Sequence, residues 1–195
     1  MRNILFFPAL IAAGILGCSP SPNDNTQLNT NIPPQFYRNI STLYGAGYPV
    51  AKDSTGFLKA SDIQWKDSLG VSHSLVNLKD TIIILNFWAT WCEYCTYEMP
   101  DMQAVSDSMG KYGVRVIGVS IDAGNSIFDL VKEYVKEHNI SYQIVIDPKE
   151  TTYLNYHGGT GIPVTFIIDR QGNISTKFIG QTNKKDVIEY LYSIL

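Results

Sequence analysis

Nine residues, TIIILNFWA at Thr81–Ala89, form an almost unbroken apolar run dominated by isoleucine. Such a run is expected of a central strand buried on both faces, and it sets the frame for the rest of the chain. Directly behind it the sequence turns helical through CEYCTYEMPDMQAVSDSMGKY, with Pro100 expected to kink that helix. VRVIGVSI is the next strand. In the helix that follows, Ile127, Leu130, Val131, Tyr134, Val135 and His138 recur at helical spacing. YQIVID reads as a short strand and KETTYLNYHG as a short helix ending at glycines.

PVTFIID and NISTKFIG straddle Arg170-Gln171-Gly172 as an antiparallel hairpin. A last helix, from about Lys184, is expected to bury Val187, Tyr190, Leu191, Ile194 and Leu195. Upstream, DIQWK and VSHSL flank a turn at Asp67–Gly70 as a second hairpin, with Trp65 in its core. Strands alternating with helices, then a closing hairpin and helix, imply an α/β sandwich around a mixed sheet. Residues 36–60 carry several aromatics but no period, and their role stays open. The domain is drawn at residues 61–195.

The 195 residues suit one domain with tails, and the formal net charge of -3, without a basic block, speaks against nucleic acid as a partner. The opening stretch MRNILFFPALIAAGILGCSPSP reads as an export signal: Arg2 gives the positive start, and Ile4–Leu16 is too short an apolar run to span a bilayer comfortably. Ile15-Leu16-Gly17-Cys18 resembles the lipobox of bacterial lipoproteins. Residues 1–17 are then the signal peptide, and Cys18 the lipid-bearing first residue of the mature chain. A plain cleaved signal and an uncut anchor are the alternatives. Residues 18–35, polar and proline-bearing, read as a tether with an end-to-end distance of roughly 20–25 Å. The expected location is extracytoplasmic, anchored to the membrane through Cys18 and facing the periplasm or cell exterior, where stable disulfides are possible.

Of three cysteines the lipobox claims one, so Cys92 and Cys95 can pair only with each other inside one chain. A zinc site needs about four ligands, and His73, His138 and His157 are neither paired nor suitably spaced, so no metal is expected. Two inert core cysteines would not fall where a buried strand hands over to a helix, a place where sites are built. The redox reading accounts for the spacing. A sulfur at the helix start faces unpaired backbone N–H groups and the positive end of the dipole, which favour the attacking thiolate. Cys95 lies on the same face one turn on and can resolve a mixed disulfide at Cys92. Two such thiols form a two-electron carrier that needs no cofactor.

LNFWATWCEYC resembles the active-site strand and helix of the thioredoxin superfamily. The pattern WC-x-x-C-x-x-E-x-P narrows the resemblance to the TlpA/ResA-like membrane-anchored thiol–disulfide oxidoreductases, matched by Phe87, Trp88, Trp91, Cys92, Cys95, Glu98 and Pro100. The 68 positions from Cys95 to Pro163 (163 − 95) leave room for the extra helix and strand of that family. The resemblance implies a thioredoxin-like α/β fold: a central mixed β-sheet flanked by helices, with an N-terminal β-hairpin and an extra βα insertion. It also implies a cis-proline at Pro163, with Ile162 and Trp91 contacting substrate. Asn86 stands where plain thioredoxins have a buried aspartate. That leaves Glu98 as the candidate proton carrier for Cys95, unless it is only a solvated carboxylate in the helix's early turns. His157, in YHGGTGIP, is either at the active-site rim or on a surface loop.

The function so implied is an exported, lipid-tethered reductase of disulfides in extracytoplasmic proteins, apocytochrome c among its natural clients, supplied by a thiol electron donor in the membrane. Disulfide oxidase or isomerase chemistry stays open within the same machinery. A thiol peroxidase stands further off, because the proline and threonine ahead of a single peroxidatic cysteine are missing. The non-enzymatic alternative is a surface-anchored binding module on a thioredoxin scaffold.

Overall fold

The computed structural model describes residues 39–195 apart from Lys79 and Thr160. The expected signal peptide, Cys18 and the tether lie outside the described residues. In chain order the strands are β1 (Ile40–Ala46), β2 (Ala51–Lys52), β3 (Leu58–Lys59), β4 (Ile63–Lys66), β5 (Ser72–Ser74) and β6 (Ile82–Trp88). Helix α1 (Glu93–Met109), β7 (Val114–Ser120), α2 (Ile127–Glu137) and β8 (Gln143–Ile146) follow. The chain ends with α3 (Thr151–Asn155), β9 (Val164–Ile168), β10 (Ile174–Ile179) and α4 (Lys184–Ile194).

All seven residues of β6 are buried, as its apolar run requires. The strand pairs in parallel with β7 on one edge and antiparallel with β9 on the other. Its alternation divides the core into two faces. Phe87 meets Tyr153, Tyr156 and Phe166. Asn86 and Trp88 belong to the opposite face, Asn86 against Glu98 of α1 and Trp88 against Tyr134 of α2.

The sheet has eight strands in the order β10-β9-β6-β7-β8-β1-β4-β5, parallel through β6, β7, β8 and β1 and antiparallel at both ends. The fold is thus the thioredoxin-like α/β sandwich with a mixed sheet. The β4–β5 hairpin is present, with Trp65 buried and stacked on His73 across the pair. The segment without a period contributes β1, which runs parallel to β8 and joins that hairpin to the main sheet. A register shift between Leu43 and Gly45 breaks its alternation, and a Cβ on Gly45 would sit 2.6 Å from Gln64 Oε1.

Two helices bury less than their spacing suggests. In α2 only Val131 and Val135 are fully buried, while Leu130 is 49% exposed because it faces away from the packed side. In α4 Val187 and Leu191 form the buried edge, and Leu195, past the last turn, is 45% exposed. Helix α1 runs through Pro100 without a break from Glu93 to Met109 and packs along β7 and against α4.

Gly118 of β7 sits in register with Asn86 of β6 and Ile144 of β8. A Cβ there would lie 2.9 Å from Ile144 Cδ1 and 3.0 Å from both Trp88 Nε1 and Tyr142 Cε2. The rings already occupy the space a side chain would need. Gly118→Ala is therefore expected to destabilise the protein by about 1–3 kcal/mol, read as a lower denaturant midpoint at unchanged slope. An unchanged midpoint would contradict this packing.

Candidate active site

Ala89, Thr90 and Trp91 carry the chain from β6 into α1, and the turn closes with the Cys92 N–H donating to the Ala89 carbonyl at 3.1 Å. Asp122, just past β7, holds this turn in place. Its carboxylate is buried and accepts from the Thr90 N–H at 3.1 Å, from the Thr90 hydroxyl at 2.7 Å and from the Ser120 hydroxyl at 2.8 Å. Sequence reading did not single out Asp122. The only signal was an acid directly after an apolar strand.

Cys92 is the N-cap residue of α1, with extended backbone, and its sulfur accepts from the Cys95 N–H at 3.2 Å. That is the geometry by which a cap satisfies a helix's first free donors. The two cysteines form a disulfide with Cα atoms 5.2 Å apart. Cys92 keeps 6% of its surface accessible against 1% for Cys95, so Cys92 is the more accessible of the two. Trp91 beside it is 69% exposed.

The Ile162–Pro163 peptide is cis, and the Ile162 carbonyl oxygen lies 3.7 Å from the Cys92 sulfur. Trp91, Ile162, Ile121, Tyr153, Gly159, Gly161 and Glu150 line an open groove of about 410 Å³ next to the cysteines. The Tyr153 hydroxyl donates to the Gly161 carbonyl at 2.9 Å and pins the loop that leads to Pro163. His157 lies outside this groove, exposed on that loop, with its carbonyl accepting from Lys177. Trp91, Cys92, Ile162 and Pro163, far apart in sequence, are thus brought together.

Glu98 is buried, not solvated. Its Oε1 accepts from Asn86 Nδ2 at 3.2 Å and from the Thr165 hydroxyl at 3.0 Å. Oε2 is buried with no hydrogen-bond partner. Burial pushes the carboxyl up to about 7. The Thr165 hydroxyl and, less strongly, the Thr182 backbone pull the other way, while the Asp101 charge adds to the rise. Glu93, between the cysteines, is engaged at the surface by the Tyr97 hydroxyl at 2.8 Å. Among the described residues no group of three or more His, Cys, Asp or Glu is placed to hold a metal ion.

Residues 58–177 match the AhpC/TSA family. The chain is 32% identical over 135 residues to the thiol–disulfide oxidoreductase ResA of Geobacillus thermodenitrificans, covering 69% of this chain and 75% of that one. The chain belongs to the AhpC/TSA family and is a ResA-like thiol–disulfide oxidoreductase. It is also 28% identical over 137 residues to the thioredoxin-like protein YneN of Bacillus subtilis, covering 68% and 76% of the two chains. Among solved structures, a thioredoxin-family thiol:disulfide interchange protein of Chlorobium tepidum aligns with a TM-score of 0.60 at 30% identity, over 70% of this chain and 94% of that one. StoA of Bacillus subtilis aligns with a TM-score of 0.58 at 26% identity, over 67% and 96%.

In this ResA-like enzyme the raised Glu98 carboxyl has a stability consequence. The native group holds its proton more tightly than the unfolded one, so ionising it costs native stability. This contribution is intact below about 4.5 and is lost as pH rises to about 7. The loss is roughly 3 kcal/mol at about 1.36 kcal/mol per pH unit. Denaturant unfolding of the oxidised protein at pH 5 and pH 8 should show a fall of that order, and Glu98→Gln should flatten it. The same pH dependence in both proteins would contradict a buried, proton-holding Glu98.

Proposed function

We propose that this oxidoreductase is an exported, lipid-tethered reductase of disulfides in extracytoplasmic proteins. The observation that carries the reading is Cys92 as the cap of α1, 3.7 Å from the Ile162 carbonyl oxygen beside the cis-proline. In the reduced enzyme the Cys92 thiolate attacks a client disulfide. A Cys92–client bond forms, the client's other sulfur leaves as thiolate, and that thiolate takes up a proton. Cys95 then gives up its proton and attacks Cys92. The mixed disulfide breaks, the Cys92–Cys95 bond forms, and the client leaves with both cysteines reduced. Two electrons pass from the enzyme pair to the client, and a thiol donor restores them. Glu98, one turn beyond Cys95 and titrating near neutral pH, takes up the Cys95 proton.

Trp91, Ile162 and Pro163 form the client-contacting edge, with the client backbone laid along Ile162 as an added strand. The resemblance supports apocytochrome c as a natural client and a membrane thiol protein as the electron donor. Location rests on the N-terminal pattern: Ile15–Cys18 supports lipidation of Cys18 and display outside the cytoplasm. Among the described residues no helix is long and apolar enough to cross a membrane.

Charge supports the reducing direction. A strong oxidant needs an unusually stabilised thiolate. The helix start contributes about 0.3–1 kcal/mol toward it. Glu93 lies between the cysteines, Glu98 one turn beyond is ionised in part near neutral pH, and no Lys, Arg or His occurs from Asn86 to Pro100. Like charges disfavour thiolate, so the disulfide is comparatively stable. The potential should lie nearer thioredoxin's, about −270 mV, than the oxidant DsbA's, about −120 mV. Wild type should reduce insulin and Cys92→Ser should not. A potential above roughly −180 mV, measured by equilibration in dithiothreitol buffers, would overturn the reductase reading in favour of oxidation or isomerisation.

For the anchor, Cys18→Ala should yield soluble protein or uncleaved precursor in cell fractionation. A variant that is processed and pellets with membranes like wild type would overturn lipidation.

A further inference from the structure

Three side chains from three elements meet beneath the start of α1. Asn86 of β6 and Thr165 of β9 are register partners, and Glu98 of α1 lies over them. All three are at most 2% exposed. Asn86 Nδ2 lies 3.2 Å from Glu98 Oε1 and 2.9 Å from Thr165 Oγ1, and Thr165 Oγ1 lies 3.0 Å from Glu98 Oε1.

With Glu98 ionised, donors and acceptors leave one consistent wiring for these contacts. The two Asn86 amide hydrogens serve Glu98 and the Thr165 oxygen, and the Thr165 hydroxyl hydrogen serves Glu98. Oε1 of the ionised Glu98 therefore receives two donors, and a proton arriving there would displace the one from Thr165. Oε2 is buried with no partner.

We propose that Asn86 and Thr165 are positioning residues that saturate Glu98 Oε1 and so assign the mobile proton to Oε2. The inference rests on the reading of Glu98 as proton carrier for Cys95. During resolution the proton leaves the Cys95 thiol for Oε2 as the Cys92–Cys95 bond forms. The two donors stay in place throughout, so the carboxyl need not rotate between its protonated and ionised forms. They also stabilise the ionised form against burial and hold the titration near neutral pH, where both forms are populated.

Other groups around Glu98 are few. Asp101 on α1 acts on it through charge, and Tyr142, ahead of β8, is influenced by it in turn. From α4, Lys184, Lys185 and Glu189 line a surface groove with Asp101. From α2, Tyr134 bonds Thr96. The Thr182 backbone also acts on Glu98, and Cys95 precedes it by one turn on α1. Among the described residues only Asn86 and Thr165 donate side-chain hydrogen bonds to Glu98.

The test is the titration of the Glu98 δ-carbon resonance in the oxidised protein, together with the pH–rate profile of insulin reduction. Thr165→Val keeps the shape and removes the hydroxyl. It should move the midpoint alkaline by about one pH unit, the order expected for losing one hydrogen bond to a charged acceptor, and move the pH–rate inflection with it. Thr165→Ser should restore both. Asn86→Leu should move both in the same direction and serves if Thr165→Val does not fold.

A merely structural role would lower the rate at every pH and leave both midpoints where they were. Unchanged midpoints in whichever variant folds would overturn the inference. Glu98→Gln separates the two readings. If its pH–rate profile matches wild type, Glu98 is not the proton carrier, while the resonance titration still decides whether Asn86 and Thr165 control its proton.

Discussion

Strand β6 is hydrogen-bonded along both edges and covered on both faces, so its register cannot slip. A shift of one residue would exchange the two faces and put Phe87 where Asn86 stands. Because β6 is fixed, the point where it stops is fixed, and α1 must begin a few residues later. Asp122 ties the intervening turn to the end of the neighbouring strand through Thr90. The position of Cys92 at a helix start is thus a consequence of sheet pairing. The cis Ile162–Pro163 peptide reaches the same place by the same route, since β9 pairs with β6 immediately after it.

The same strand carries the polar row that gives the site its acid. Thr165, Asn86 and Gly118 lie side by side across β9, β6 and β7. Gly118 leaves room for the Trp88 and Tyr142 rings, and Asn86 and Thr165 supply donors to a carboxyl that α1 buries above them. Burial of an acid without full compensation costs stability when it ionises. That cost is what brings Glu98 into the neutral range.

What could be read from the sequence follows from what is local. The apolar run at Thr81–Ala89 and the Cys92-x-x-Cys95 spacing are local patterns, and they located the central strand and the thiols. β1 was not legible. Its partners β8 and β4 lie elsewhere in the chain, and the bulge at Leu43–Gly45 breaks the alternation that would have marked it. Leu130 fits the helical stripe of α2, yet the stripe packs only along Val131 and Val135, a distinction periodicity does not carry. For Glu98 the local sequence allowed a solvated carboxylate in an early helical turn. The groups that bury and bind it are donated from β6 and β9, 12 and 67 residues away.

Two buried acids flank the active-site turn, and the difference between them separates architecture from chemistry. Asp122 accepts on both oxygens, from a backbone N–H and two hydroxyls, and is fully occupied in holding Thr90 and Ser120. A proton arriving there would have to displace one of the bonds that shape the turn. Glu98 accepts side-chain hydrogen bonds at one oxygen only, with the Thr182 backbone acting on it less strongly, which holds the carboxyl in place while the second oxygen has no side-chain partner. A half-satisfied buried carboxyl is a poor way to stabilise a fold and a suitable way to move a proton. Of the two, Glu98 is also the one on the cysteine helix, one turn beyond Cys95.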